Sequence, residues 1–537
     1  MSTSTQGGGV QTVRRVVTYT LLFVMVILAA IGLSGLLGRL LDAGSEVVAD
    51  DSSALAQSLA FTLIAGPLAA ALWWLVWRAL ADERDRSSVA WSLYLAVAST
   101  VALIVSAGAL LSALAALIGG RWLAGEFATG LVWAGVWLWH RWMLRHPTRR
   151  PSRLGSVASV IGSFYGLTIG VGGAVTAFAG VLTAATDALG GAVSIGSPWW
   201  QPALMSLVWA AGGALIWWWF WFRDGVRGLH TGFARVVLVV ITGLGAAALC
   251  LTGLALSVYV ALRLAFVPDD SLVERFEPLG FAVSAALVGA LVWNYHRGAV
   301  ARQVAPVRRA TMLVSSGVAL AATASGVGVI VNALLAALGT PLAETGLRSL
   351  LLGGISALLV GGPVWWRFWR PLSQEDQRTT TGRRVYLLAV FGVSALVALI
   401  TLILIAFRLF ELGLTDVSGT SLLERVRAPF GLLTATLLVA GYHFALWRSD
   451  RREAGSVITA GPAIRQVTLV SSLEPEPLLG WIDDAIGASV TRWRRSDGVG
   501  HTVSATQLGA ALDGLHARRV LVVLGPGERV DAIPLRD

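Results

Sequence analysis

Apolar residues in this chain of 537 residues gather into long runs separated by short polar segments. Twelve runs are about 20 residues or longer, enough to cross a ~30 Å hydrocarbon core as helices. They fall near 15–41, 54–78, 89–118, 126–145, 156–186, 199–222, 235–262, 277–296, 310–338, 347–369, 384–410 and 426–448. The pattern predicts an all-α polytopic membrane protein. After Gly455 the period changes. "QVTLVS", "PLLGWIDDAI", "SVTRWRR", "SATQLGAALDGLHA" and "RRVLVVLGPGERVDAIPL" read as a small βαβαββ domain with a Gly-Pro-Gly turn.

The polar segments differ on the two sides of the runs. Those after the even helices, with the chain's flanks, hold 25 arginines against 8 on the other side. By the positive-inside rule the arginine-rich side is cytoplasmic, and both termini lie inside. The expected domains are a disordered tail at 1–13, a membrane domain at 14–448, a linker at 449–465 and a cytoplasmic α/β domain at 466–537.

One short motif closes every even helix. "WLVWR", "WLWHR", "WFWFR", "WNYHR", "WWRFWR" and "FALWR" end at Arg78, Arg141, Arg223, Arg297, Arg370 and Arg448, 63 to 82 residues apart. Trp74, Trp77, Trp137, His140, Trp219, Trp293, His296, Trp366, Trp369 and Trp447 accompany them. Aromatic rings suit the headgroup layer, and an arginine can snorkel into it while complementing the helix dipole. These side chains are expected to be membrane-interface anchors.

Each interval between the arginines holds one outward and one inward helix. The membrane domain therefore reads as six parallel two-helix hairpins, 14–78, 87–141, 153–223, 235–297, 308–370 and 383–448. Three four-helix units satisfy the same pattern. Odd helices carry small residues at helical spacing, among them Gly32, Gly35, Gly162, Gly166 and Gly170. Such residues let membrane helices approach closely, which places the odd helices inside the bundle.

Composition narrows the chemistry. Hydrophobic residues make up 55% and charged residues 13%, outside the range of soluble domains. The formal charge of +10 is carried by arginine alone, and most of it sits at helix ends rather than on one soluble face, so nucleic-acid binding is not expected. A lone Cys250 forms no intramolecular disulfide and no cysteine metal site.

Deep charges, the usual mark of an ion or proton path, are nearly absent. Arg39 with Asp42, and Arg408 with Glu411, have the i, i+3 spacing of an intrahelical ion pair near outer ends, or of a charge pair at a substrate mouth. Asn332 stands out as an amide that needs a partner in lipid. Asp513 with His516, and Asp483 with Asp484, read as solvated helix faces. "LGPGER" lacks the lysine and hydroxyl residue of a phosphate loop. Arg492 to Arg495, "RWRR", could lie against anionic headgroups. No catalytic, cofactor or metal residues are assigned.

The double arginines Arg14 with Arg15, Arg308 with Arg309, and "RRVY" at Arg383 to Tyr386 each precede a small-residue helix and a second helix ending in Trp, His and Arg. Over residues 14–448 this arrangement resembles an uncharacterised family of bacterial multi-pass membrane proteins, a domain of unknown function (the DUF5671 type). The resemblance implies a bacterial inner-membrane location and supplies no activity. The expectation is a non-enzymatic membrane scaffold or sensor presenting its cytoplasmic domain to a protein partner or ligand, with the lipid bilayer around it and no cofactor. The alternative is a transporter or channel for a neutral or apolar substrate.

Overall fold

The computed structural model describes residues 4–43, 52–189, 198–268, 271–338, 345–372, 381–414, 422–459, 464–472, 488–497, 503–513, 515, 517–525 and 529–535. Among the described residues twelve long helices follow one another: α1 (Ser4–Leu41), α2 (Ser52–Ala79), α3 (Val89–Ile118), α4 (Ala124–Arg145), α5 (Val157–Leu189), α6 (Trp200–Arg223), α7 (Gly232–Phe266), α8 (Leu272–Ala301), α9 (Ala305–Ala336), α10 (Thr345–Leu372), α11 (Thr381–Leu414) and α12 (Leu422–Thr459). Among the described residues eleven helices are long and apolar enough to cross a membrane. The exception is α4, a helix of 22 residues whose Glu126, His140, Arg141 and Arg145 reduce its apolar character.

Local sequence explains the helix ends. Ser88 and Thr231 accept hydrogen bonds from the Trp91 and Ala234 amides, satisfying donors that the first turn leaves free. Pro306 sits in the first turn of α9, where the missing N–H costs nothing. Three helices contain a π-helical turn: Phe61–Ala65 in α2, Trp219–Arg223 in α6 and Val240–Ala246 in α7.

Two boundaries differ from expectation. Residues from Ser4 onward are helical rather than a tail, since no proline stops α1 and a nucleated helix extends at little cost. Likewise, α12 runs through the expected linker to Thr459, because neither proline nor glycine interrupts it between Trp447 and Glu453.

Consecutive helices pair as α1 on α2, α3 on α4, α5 on α6, α7 on α8 and α9 on α10. Glycines bring these pairs close. A Cβ added at Gly166 would lie 2.5 Å from the Trp217 backbone nitrogen, and one at Gly170 3.0 Å from that of Ala214. At Gly32 it would meet Thr62, and at Gly326 it would meet Gly354 and Leu358. Gly32, Gly170 and Gly326 stand at the same spacing after Arg15, Arg153 and Arg309.

A second contact pattern links hairpins. Helix α1 packs on α4, with Gly38 against Gly125; α5 packs on α8, with Ala179 and Thr183 against Gly280; and α9 meets α12 at Gly328 and Gly431. In addition, α3 packs on α6 and α7 on α10.

The chain divides into two compact units, residues 1–377 with 389–440, and residues 378–388 with 441–537. The second unit takes in the arginine-rich ends of α11 and α12 as well as the expected α/β domain. Within it, β1 (Gln466–Ser471), β2 (Ser489–Arg494), β3 (Arg519–Leu524) and β4 (Val530–Leu535) form a sheet in the order β2-β1-β3-β4. β1 is parallel to β2 and β3, and β3 is antiparallel to β4. Alternation in β1 and β3 turns Val467, Leu469, Val520, Val522 and Leu524 inward. Leu508 and Leu512 of α13 (Ala505–Leu512) join this core, and α13 opens on a Ser504/Gln507 capping box.

Candidate functional site

The six arginine-terminated helix ends are the most distinctive chemistry in the chain. A residue and the one four positions later share a helix face, and a tryptophan stands four positions before each of these arginines except Arg448, which follows Phe444. Arg78 lies 3.7 Å above the Trp74 ring, Arg141 5.3 Å from Trp137 and Arg297 5.2 Å from Trp293. At the end of α12 it is Arg451, not Arg448, that covers Trp447, at 5.0 Å. Arg149 approaches Trp77 to 3.5 Å. A guanidinium held over a ring gains about 0.5–2 kcal/mol.

The predicted anchors separate into two groups. Trp74, Trp219, Trp366, Arg78, Arg223, Arg297, Arg370 and Arg448 are exposed, while Trp77, Trp137, Trp293 and Trp447 are half-buried. His140, His296 and Trp369, by contrast, are each 1% exposed. These three pack inside the helix ends.

His140 belongs to a buried aromatic cluster. Its Nδ1 lies 2.7 Å from the Val136 carbonyl and its Nε2 2.9 Å from the Tyr94 hydroxyl. Tyr19, Trp73 and Trp91 stack around Tyr94 at ring separations of 5.7 to 6.3 Å. His296 repeats the carbonyl contact to Val292 at 2.9 Å but meets Trp217 and Trp221. In the second unit His443 sits 6.0 Å from Tyr386. Each histidine thus lies buried among aromatic rings on α4, α8 or α12.

Arg141 is not a free snorkelling charge. Its guanidinium donates twice to Asp224, at 2.9 and 2.6 Å, and Arg145 and Ser159 donate to the same carboxylate at 2.5 and 3.1 Å. Asp224, 4% exposed, joins the ends of α4, α5 and α6. Sequence reasoning missed it; the acidic residue directly after the "WFWFR" motif was the available signal. Near α1, Arg15 pairs with Asp85 at 2.5 Å.

The first unit contains several sizeable cavities. One, of about 640 Å³, lies among α9, α11 and α12, and Asn332 lines it beside Gly328, Ser325, Ser394 and Thr436. The Asn332 carboxamide oxygen is buried without a hydrogen-bond partner. Two others share the α1/α2/α4 groove: a polar cavity of about 910 Å³ lined by Ser34, Arg39, Asp42, Ser58 and Glu126, and an apolar one of about 620 Å³ reaching His140. At the opposite end of α11 from its arginines, Arg408 and Arg425 both reach Glu411 at 3.6 Å.

The small sheet brings no comparable site together. Asp513 caps α13, while His516, Asp483 and Asp484 lie outside the described residues. Trp493 and Arg494 are exposed on the edge strand β2, and Arg495 is held by Asp497, whose hydrogen bond raises the guanidinium pKa. Among the described residues no three metal-ligating side chains cluster.

A bundle of many long apolar helices with arginine- and tryptophan-marked ends defines a multi-pass helical membrane protein. The family model of a domain of unknown function, DUF5671, matches residues 15–129 and 309–442. No curated protein and no solved structure matches it. The two matched stretches begin at Arg15 and Arg309 and run, respectively, from α1 into α4 and from α9 into α12.

Proposed function

We propose that this is a non-enzymatic integral membrane protein that crosses the bilayer twelve times and serves as a scaffold or sensor. It presents its small α/β domain to a protein partner or ligand in the cytoplasm. The observation that carries the reading is α12, a helix of 38 residues that continues from its apolar stretch to Thr459, leaving few residues before β1. A continuous helix transmits displacement or torque where a flexible linker would not. The arginine asymmetry supports both termini being inside a bacterial inner membrane. Nothing in the chain's charge arrangement favours a nucleic-acid partner.

The membrane part is best read as three four-helix units, α1–α4, α5–α8 and α9–α12. The contacts α1·α4, α5·α8 and α9·α12, the buried histidine on every fourth helix and the two stretches matched by the family model all favour four helices over two as the repeating unit.

The cavity at Asn332 favours one second reading, a transporter for a neutral or apolar substrate. Thiol labelling separates the two. In a Cys250→Ala background, single cysteines at Ser325 and Ala428, which line that cavity, are treated with a small membrane-impermeant reagent. Silence there, with cysteines at Ser152 and Ser271 reacting, supports the scaffold reading. Strong labelling at Ser325 and Ala428 means a watered path and favours transport.

A further inference from the structure

Helices α2 and α4 both pack on α1, which forms the floor of a trough between them. At one end the walls meet, with the Trp73 ring of α2 lying 5.5 Å from Trp139 and 5.8 Å from His140 of α4. Beyond these rings the trough holds both cavities of this groove, the apolar one of about 620 Å³ and the polar one of about 910 Å³. Their linings interlock. On α1 the apolar cavity takes Leu33 and the polar one Ser34, and on α4 Val132 lines the first and Trp133 the second. The two cavities are therefore consecutive parts of one trough, which follows α1 from Val26 to Arg39 for about 20 Å.

The polar end carries both signs of charge. Arg39 and Asp42 stand one turn apart on α1, and Glu126 lines the same cavity from α4. Ser34 and Ser58 donate to the Ala30 and Ala54 carbonyls at 2.7 and 2.8 Å, so each hydroxyl oxygen has only acceptor capacity left for a ligand. A guanidinium matches a phosphate, and carboxylates with acceptor hydroxyls match a primary ammonium with its three donors. A phosphate headgroup without the ammonium would meet two carboxylates against one guanidinium. A soluble zwitterion would use the polar cavity and leave the apolar one without a role. Hydrocarbon fills that role, because one leaflet of a ~30 Å hydrocarbon core is about half as thick and fits within the length of the trough.

We propose that the trough among α1, α2 and α4 binds one phospholipid whose headgroup carries a primary ammonium beside its phosphate. The headgroup sits among Arg39, Asp42 and Glu126, and an acyl chain runs along the apolar end toward Trp73. The inference is independent of whether the protein is a scaffold or a transporter, since the Asn332 cavity lies among other helices.

The test uses the full-length protein, stripped of lipid in detergent and titrated with dioleoylphosphatidylethanolamine or dioleoylphosphatidylglycerol while native mass spectrometry counts the bound molecules. Expected is one phosphatidylethanolamine held several-fold more tightly than phosphatidylglycerol, a preference that Asp42→Asn with Glu126→Gln removes. Gly135 lines the apolar end with nothing within 4 Å of an added Cβ, so Gly135→Phe fills the trough without a backbone clash and should weaken binding several-fold. Gly172→Phe, at an equally open position on α5, should leave it unchanged. Equal affinity of the parent for both lipids overturns the proposal, as does undiminished binding by Gly135→Phe or an equal loss in Gly172→Phe. Chain-free O-phosphoethanolamine is the last arm. No displacement of the lipid by an equal concentration of it agrees with the proposal, and full displacement marks a site for a soluble zwitterion and overturns it.

Discussion

At the level of single residues, Asp224 is the side chain on which most converges. It holds Arg141, itself 11% exposed at the side chain, so removing the carboxylate leaves a nearly buried guanidinium uncompensated. Asp224→Ala is expected to cost about 3–5 kcal/mol, read as a lowered Tm in detergent. Arg145→Ala should cost less than about 1 kcal/mol, because that partner is 59% exposed. The glycine contacts give a second contrast. Gly166→Val forces a side chain into the Trp217 backbone and is expected to cost about 1–3 kcal/mol. Gly172→Ala, with nothing within 4 Å of the added carbon, should be neutral or slightly stabilising. Gly166 was legible in the sequence from its spacing. Asp224 was not, because its partner lies 83 residues away and the helix-end motif already offered Arg141 a sufficient explanation.

At the level of elements, α12 is the decisive helix. Its inner end is tied to α11 by a buried pair, Arg383 with Asp450 at 3.1 Å. Ser449→Pro removes one backbone hydrogen bond and costs about 3 kcal/mol in a helix interior. The small sheet has its own core in Val467, Leu469, Val520 and Val522, so it should remain folded. Trypsin cleavage at Arg448, Arg451 or Arg452 should then appear while the released α/β domain resists digestion. Cleavage unchanged from the parent protein would mean that α12 does not depend on continuity there. The helices themselves were readable from uninterrupted apolar runs, and the strands from period-two alternation. The first part of the expected linker at 449–465 was misread, because a polar, charged segment such as 449–454 looks like a linker even when its residues can extend a helix.

For the whole molecule, the helix to test is α4, since it alone of the long helices described is not among those apolar enough to cross a membrane. Phosphatase fusions after Arg121 and after Arg145 place its two ends. Activity after Arg121 with none after Arg145 is expected for twelve spans with both termini inside. Equal behaviour at both sites would put α4 on one side of the membrane and change the sidedness of all that follows.

What the sequence determined by itself is local: which segments are helices or strands, and which apolar runs are long enough to cross a bilayer. These follow from composition and period within one segment, where hydrogen bonds and burial repeat at fixed spacing. The tertiary structure decided the rest. It paired Arg141 with Asp224, buried His140 and Trp369 within helix ends that look like anchors, and set α1 against α4 and α5 against α8. Such choices depend on which faces meet across tens of residues, and an apolar face carries no mark in its own sequence of whether helix or lipid will cover it.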